Sequence, residues 1–340
     1  MIGARKLVIF DDNAPLYADL LSDALQTSWS LEVGPNSTAW LGEHIADADA
    51  AIGLKLPPEL LNLATKLKLL LFPGAGFMHR DPMELPEGCR HANVYEHEIP
   101  IAEYVFLALL TLVSGQAESR AAFRQGNWLG NGRVGGEPRR ELFGGKLGLI
   151  GFGHIGREVG RRAAAFGLPT QAIRSRSGTR ACESEGVSIL GGPEALPELL
   201  ATSDFVVVAC PLTPETQHML SGEQLRLLKP HAVLVNVARA EIIDEAALFE
   251  ALRDCWFAAA ALDVWYRYPS HAGEGLHGSR YPFHELPNVF ATPHSSGWTA
   301  PMIARRARQM AANLDRFARG ESIERVVLTG AWRSPCDSAA

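Results

Sequence analysis

The chain has 340 residues, 47% apolar and 21% charged, the balance of a soluble globular protein too long for one hydrophobic core. A net charge of −6 argues against a general binder of nucleic acid or anionic membrane. Cys89, Cys182, Cys210, Cys255 and Cys336 are scattered, with no CxxC pair and no metal-ligand spacing, as expected of reduced thiols in a cytoplasmic protein.

The opening "MIGARKLVIFDD" has too short an apolar run for a signal peptide, and "YVFLALLTLV" (104–113) is too short to span a bilayer. In chain order, "KLVIF" (6–10) reads as a strand and "NAPLYADLLSDALQ" (13–26) as a helix capped by Asp12 or Asn13. Strands follow at "AAIGL" (50–54), "KLKLLLF" (66–72) and "HANVY" (91–95). A long helix over about 99–124 leads to the Gly-rich, basic loop "GNWLGNGRVGGEPRR" (126–140).

The second block has more apolar strands: "KLGLIG" (146–151), "FVVVAC" (205–210), "AVLVN" (232–236), "AAAALDV" (258–264) and "VFATP" (289–293). Such near-continuous runs fit a parallel sheet covered on both faces. "MIARRARQMAANLDRFARG" (302–320) is amphipathic, ends at Gly320 and is expected to pack on the first block; 331–340 reads as a mobile tail.

The sharpest local signal is "LGLIGFGHIGREVG". Gly151, Gly153 and Gly156 form G-x-G-x-x-G between a strand and a helix, with His154 and Ile155 inside it. The first glycine permits the tight turn and the second lets a pyrophosphate approach the backbone. The third lets helix and strand pack closely, so the pattern predicts dinucleotide binding.

An acid about 20 residues further on ordinarily binds the adenosine ribose and selects NAD. Here "PTQAI" runs into "RSRSGTR", which puts Arg174 at that place with Ser175 and Arg176 beside it. Guanidinium groups attract the 2′-phosphate that a carboxylate repels, and hydrogen bonds to charged groups contribute ~1.5–3 kcal/mol, roughly tenfold to a hundredfold in selectivity. NADP(H) is therefore the expected preference with NAD(H) possible; a solvated basic loop is the alternative.

Four more stretches, "CPLTPET" (210–216), "LLKPHAVLVNVARAEIIDEAAL" (227–248), "AALDVW" (260–265) and "ATPHSSGWT" (291–299), make the chain resemble the D-2-hydroxyacid dehydrogenase family. Similarity runs from "KLKLLLFPGAG" (66–76) to the last helix. The resemblance implies an α/β protein of two Rossmann-like or flavodoxin-like domains with parallel sheets and a cleft between them. Residues 1–100 with 298–340 would form the flavodoxin-like substrate domain, and 101–297 the Rossmann NAD(P) domain. It also implies a homodimer joined through the cofactor domains, acting on a small acid rather than on nucleic acid or membrane.

By the same resemblance, Arg239 matches the family's substrate-orienting arginine, although Ala240 replaces the usual glycine after it. A fixed fork of donors suits a 2-keto acid's carboxylate and carbonyl. His294 matches the acid/base histidine, which would protonate the carbonyl oxygen during reduction. Asp263 would contact the nicotinamide carboxamide, with Pro211, Thr216, Val237 and Ala238 also at the cofactor. The backbone amides of Ala75 and Gly76 would hold the substrate carboxylate, an anion in a glycine-bracketed turn. No metal is expected.

The family pattern breaks at one place. Its D-V-F-x-x-E-P carries a glutamate that pairs with the histidine, whereas counting from Asp263 puts Tyr268 there, before Pro269. In one reading Tyr268 hydrogen-bonds His294 and orients it without charge, leaving a working, altered 2-keto acid reductase. In another, no proton is transferred, as in the related formate dehydrogenases. Against that, His97 stands where that branch has its formate-binding asparagine. A third reading is a dinucleotide-sensing binding protein with little turnover. Glu98 or Glu274 could supply the missing carboxylate, and His79, His97, Trp128, Tyr268 and Trp298 are candidates for an aromatic, partly polar pocket.

Overall fold

The computed structural model describes residues 4–76, 81–130, 132–134, 137–175, 182–271 and 273–333. The first elements are β1 (Arg5–Phe10), α1 (Ala18–Ala24), β2 (Trp29–Gly34), α2 (Thr38–His44), β3 (Ala50–Gly53), β4 (Leu69–Phe72) and β5 (Arg90–Asn93). Then come α3 (Glu98–Ser114), α4 (Gln116–Arg124), β6 (Leu147–Ile150), α5 (His154–Ala165), β7 (Thr170–Ile173), β8 (Cys182–Ser184) and β9 (Val187–Gly191). They are followed by α6 (Leu196–Thr202), β10 (Phe205–Val208), α7 (Gly222–Leu225), β11 (Val233–Asn236), α8 (Glu245–Arg253), β12 (Ala259–Leu262) and β13 (Val289–Ala291). The last are α9 (Ala300–Arg319) and β14 (Val326–Thr329).

The chain divides into two units, one formed by the segments up to Glu96 and from Thr299 on, the other by His97–Trp298. In the first, the strand order is β14-β5-β4-β3-β1-β2, parallel except for β14, which runs antiparallel to β5. That order of β1 to β5 is the flavodoxin-like winding. Leu7, Ile9, Ala50, Ile52, Leu69 and Leu71 pack on one face with Leu21 of α1 and Met310, Ala311 and Leu314 of α9. Val8, Phe10, Ala51 and Leu70 pack on the other with Leu41 of α2. α9 is set by Thr299, whose hydroxyl accepts from Met302 N, by Pro301 in its first turn, and by Gly320 at φ 73°.

The second unit's sheet has the order β13-β12-β11-β10-β6-β7-β9-β8, parallel except for β8 against β9. Strands β6, β7, β10, β11 and β12 are buried at every residue, as a sheet covered on both sides requires. α3 and α5 contribute Val105, Leu109 and Val159 to one face; Leu199, Leu248 and Phe257 cover the other. The winding reverses between β10 and β6, so a crevice opens beyond their carboxyl ends, where dinucleotides bind in such sheets.

Several sequence expectations change. The helix over 99–124 is two helices: Gly115 turns left-handed at φ 57° after Ser114, and α3 and α4 diverge by 62°. No single helix among the described residues is long and apolar enough to cross a membrane, although this bent pair has the length and composition together. The helix over 13–26 begins only at Ala18, after a 3-10 turn at Ala14–Leu16. Strand β4 begins at Leu69, three residues late, because Lys66 and Lys68 are exposed. The expected tail is partly ordered: Trp332 N donates to Leu85 O at 3.0 Å, and its own carbonyl accepts from Glu87 N at 2.8 Å. Residues 334–340 lie outside the described chain.

Candidate functional site

The glycine turn sits at the crevice. Gly151, at φ 101°, has no room for a side chain, since a Cβ would lie 2.8 Å from backbone atoms of Ala209 and Cys210. A Cβ on Gly156 would meet Gly151 O at 2.4 Å, whereas the space at Gly153 is open. Gly153 caps α5, so His154, Ile155 and Gly156 present first-turn N–H groups beside an open approach. A dinucleotide's pyrophosphate fits this cradle, and α5 would face it with the positive end of its dipole.

Past β7, Arg174 is half-buried and its N–H donates to Gly191 O at 3.1 Å, with exposed Ser175 after it. Arg176 lies outside the described residues. The Thr216 hydroxyl closes its own turn, donating to Pro211 O at 2.7 Å and accepting from Thr213 N at 2.7 Å. Val237 and Ala238 are buried after β11, and Asn236 pins the turn by accepting from Ala238 N and donating to Arg239 O, both at 3.1 Å. This leaves Arg239 exposed, with one guanidinium nitrogen donating to Ala238 O at 2.6 Å.

At the end of β12, the Asp263 carboxylate is fully buried and binds the segment that carries His294. Oδ1 accepts from Thr292 Oγ1 at 2.6 Å and from Ser295 N at 2.9 Å; Oδ2 accepts from Ser296 N at 2.9 Å. Its bonds therefore bracket His294, which has a left-handed backbone at φ 56°, rare for a non-glycine residue. Thr292 O accepts from His294 N at 3.0 Å and from the Trp265 indole at 2.8 Å.

The Tyr268 hydroxyl lies 2.8 Å from His294 Nδ1 and accepts from Trp265 N at 3.2 Å. His294 Nε2 makes no hydrogen bond among the described residues. Burial lowers the His294 pKa, the Asp263 charge opposes that, and Arg239 lowers it further. Burial raises the Tyr268 pKa, with its bond to Trp265 N and the Arg239 charge acting the other way.

Neither alternative carboxylate partners His294. Glu274 accepts from Ser270 N at 2.6 Å and from Ser270 Oγ at 2.8 Å, and Glu98 Oε2 is buried without a hydrogen bond. His97 caps α3, close enough to Gly297 that a Cβ there would lie 3.3 Å from its own. Trp298 and Tyr268 are exposed. Trp128 lies edge-on to Phe123 and lines a pocket with Arg120 and Arg139 that contains none of the motif residues. His79 lies outside the described residues.

Ala75 and Gly76 belong to the first unit. The carbonyls before them are tied back: Arg306 donates to Pro73 O at 3.1 Å, Val94 N to Gly74 O at 3.0 Å and Asn93 Nδ2 to Ala75 O at 3.1 Å. The N–H groups of Ala75 and Gly76 make no hydrogen bond among the described residues, as an anion-binding turn requires.

Sequence reasoning missed Tyr104, Thr292, Trp265, Ser295 and Ser296 as parts of the site. Four of them lie inside motifs already quoted, and Tyr104 reads as core in an apolar helix.

The sequence pattern of the D-isomer specific 2-hydroxyacid dehydrogenase NAD binding domain matches residues 106–296. A glyoxylate reductase of Pyrococcus furiosus is 32% identical over 293 residues, covering 82% of each chain. A D-isomer specific 2-hydroxyacid dehydrogenase from Xanthobacter autotrophicus, solved with NADPH and MES, is 28% identical with TM-score 0.76, covering 96% of this chain and 98% of that one. A family protein from Aeromonas salmonicida is 25% identical with TM-score 0.78, covering 96% of this chain and 99% of that one. A glycine cradle at the sheet's reversal, a matched cofactor domain and full-length relatives agree: the chain belongs to the D-isomer specific 2-hydroxyacid dehydrogenase family of NAD(P)-dependent oxidoreductases.

Proposed function

We propose that the protein reduces small 2-keto acids of the glyoxylate and hydroxypyruvate class to D-2-hydroxy acids, preferring NADPH. The observation that carries this is the 2.8 Å contact between Tyr268 Oη and His294 Nδ1, with no hydrogen bond to Nε2 among the described residues. A histidine held by one nitrogen and open at the other is arranged for proton exchange with a substrate oxygen. The similarity to glyoxylate reductases supports the substrate class.

The Gly151–Gly156 turn and the first turn of α5 would hold a nicotinamide dinucleotide, which when bound would supply hydride to the carbonyl carbon in reduction or accept it in oxidation. Arg239 holds the substrate carboxylate and carbonyl oxygen, which keeps the carbonyl carbon in a reactive orientation. On the first unit Ala75 and Gly76 offer backbone N–H groups suited to a carboxylate, and on the second His97 would border the substrate. His294 as imidazolium gives its Nε2 proton to the carbonyl oxygen and takes it back during oxidation. Tyr268 holds the ring by Nδ1 without adding charge. Asp263 is fully buried and bonded to Thr292, Ser295 and Ser296, so it holds the His294 segment, and a nicotinamide carboxamide would reach it only if that segment moved. Arg174, Ser175 and Arg176 hold the 2′-phosphate.

In this reading the second unit binds the cofactor and carries Arg239, His294 and His97, while the first carries the Ala75–Gly76 turn. The second unit also exposes Phe123, Trp128 and Leu129 around one pocket, apolar side chains of the kind that a homodimer would cover. Light scattering in solution tests the dimer.

The test of function is a panel of glyoxylate, pyruvate, hydroxypyruvate and aromatic 2-keto acids with NADPH and with NADH, run beside formate with NADP⁺ and NAD⁺. Turnover of a 2-keto acid with NADPH is expected. Tight NADPH binding without turnover of any acid would identify a binding protein, and oxidation of formate alone would identify the proton-free reaction.

A further inference from the structure

We infer that Tyr104, in the middle of α3, positions His294 through a directional chain of hydroxyls that runs over Thr292 to Asp263. This rests on the reading of His294 as the acid/base group, and it adds a residue that touches neither substrate nor cofactor. The direction follows from proton counting. The Asp263 carboxylate only accepts, so the single hydroxyl proton of Thr292 goes to Oδ1 across 2.6 Å. The Tyr104 hydroxyl, 2.7 Å from Thr292 Oγ1, must then be the donor. The chain is Tyr104 O–H to Thr292 O–H to Asp263, and the carboxylate goes on to hold Ser295 N and Ser296 N on the far side of His294.

Such a support is needed because His294 is held left-handed, a strained conformation for a non-glycine residue that relaxes unless its neighbours fix it. α3 supplies a second contact along the same stripe. His97, Ile101 and Tyr104 follow one another at helical spacing, and the first two lie beside Gly297, where a Cβ would come within 3.3 Å of His97 and 3.4 Å of Ile101. One helix face thus supports the segment at Thr292 and at Gly297, on either side of the histidine. The titratable groups around His294 are Asp263 and Tyr268 after β12, Arg239 after β11, and Tyr104 and His97 on α3, with Glu241 acting on Tyr268.

Tyr104→Phe removes one hydroxyl and keeps the ring. The expected result is a roughly tenfold loss of kcat for 2-keto acid reduction, with the nucleotide KM within about twofold of wild type. The His294 imidazole, followed by NMR in the protein without substrate, should titrate ~0.5 pH unit higher, as a loosened segment returns the ring toward solvent. Thr292→Val should have the same effect, and Thr292→Ser should recover most of the loss. Because Tyr104 acts through the Thr292 hydroxyl, the double variant Tyr104→Phe/Thr292→Val should be no worse than Thr292→Val alone.

An unchanged His294 titration in folded Tyr104→Phe overturns the inference, as do additive effects in the double variant. If Tyr104→Phe does not fold, the comparison of Thr292→Ser with Thr292→Val decides, since equal titrations in the two would also overturn it. A wild-type protein that turns over no 2-keto acid would defeat the proposed function alone, because the titrations are read without turnover.

Discussion

Tyr268 and His294, 26 residues apart in sequence, meet through one hydrogen bond of 2.8 Å between Oη and Nδ1. A phenol at this point holds the ring but brings no negative charge. The nearest charge that favours imidazolium is Asp263, and burial outweighs it, so the His294 pKa lies below the ordinary 6.5. On the proposed role of His294 as the acid, the rate of reduction should fall as pH rises through a value under 6.5, while hydroxy acid oxidation, which would use the neutral ring, persists above it.

Replacing Tyr268 by glutamate introduces the missing charge. The alkaline limb of the pH–rate profile for reduction should move up by about 1–2 pH units in Tyr268→Glu. In Tyr268→Phe the ring loses its anchor, and kcat should drop about tenfold while the nucleotide KM stays nearly constant. A limb that does not move in Tyr268→Glu would show that position 268 does not govern the proton.

Arg174 follows β7 where an acid would exclude the 2′-phosphate. Arg174→Asp should lower kcat/KM for NADPH by roughly tenfold to a hundredfold and leave that for NADH unchanged or raised. Equal losses with both cofactors would indicate damage to the fold instead.

Gly156 offers a test of the cradle that needs no substrate. Its missing Cβ would lie 2.4 Å from Gly151 O, so Gly156→Ala must push α5 away from the turn. The dinucleotide Kd, measured by nicotinamide fluorescence, should rise at least tenfold, with a Tm loss of a few degrees reflecting ~1–3 kcal/mol of overpacking.

Asp204 predicts acid sensitivity away from the site. Burial raises its pKa, but a hydrogen bond from Lys146 N and contacts with His231 and Lys229 more than reverse this and bring it to about 2. A depressed folded-state value makes its contribution complete above the unfolded value near 3.8, and the contribution is lost as pH falls through about 2. Asp204→Asn should cost on the order of 1 kcal/mol at neutral pH after solvent screening, and the difference from wild type should vanish in urea titrations near pH 2.

What was legible in the sequence follows physical lines. The strands of the second sheet stand out because burial on both faces makes them apolar throughout, whereas β2 was missed because an edge strand with alternating exposure, "WSLEVG", lacks such a run. The break at Gly115 was hidden because apolar and helix-favouring residues continue on both sides of it. Arg239, His294 and Asp263 stand out in the sequence through their motifs, and Tyr268 through its departure from one; the hydrogen bonds that join Asp263 and Tyr268 to the His294 segment are visible only in the fold. Tyr104 could not be found, since a tyrosine in an apolar helix looks like packing until its hydroxyl meets Thr292.

The place of β14 has a consequence for synthesis. It pairs with β5, and α9 completes the core over β1 and α1, yet the whole of the second unit is translated between β5 and α9. The ribosome therefore completes the second unit, which has its own sheet and core, while the earlier strands wait for their last helix. Apolar strands exposed in that interval are open to aggregation. Proteolysis of a released chain truncated after residue 298 should find 97–298 protected and the earlier strands cleaved.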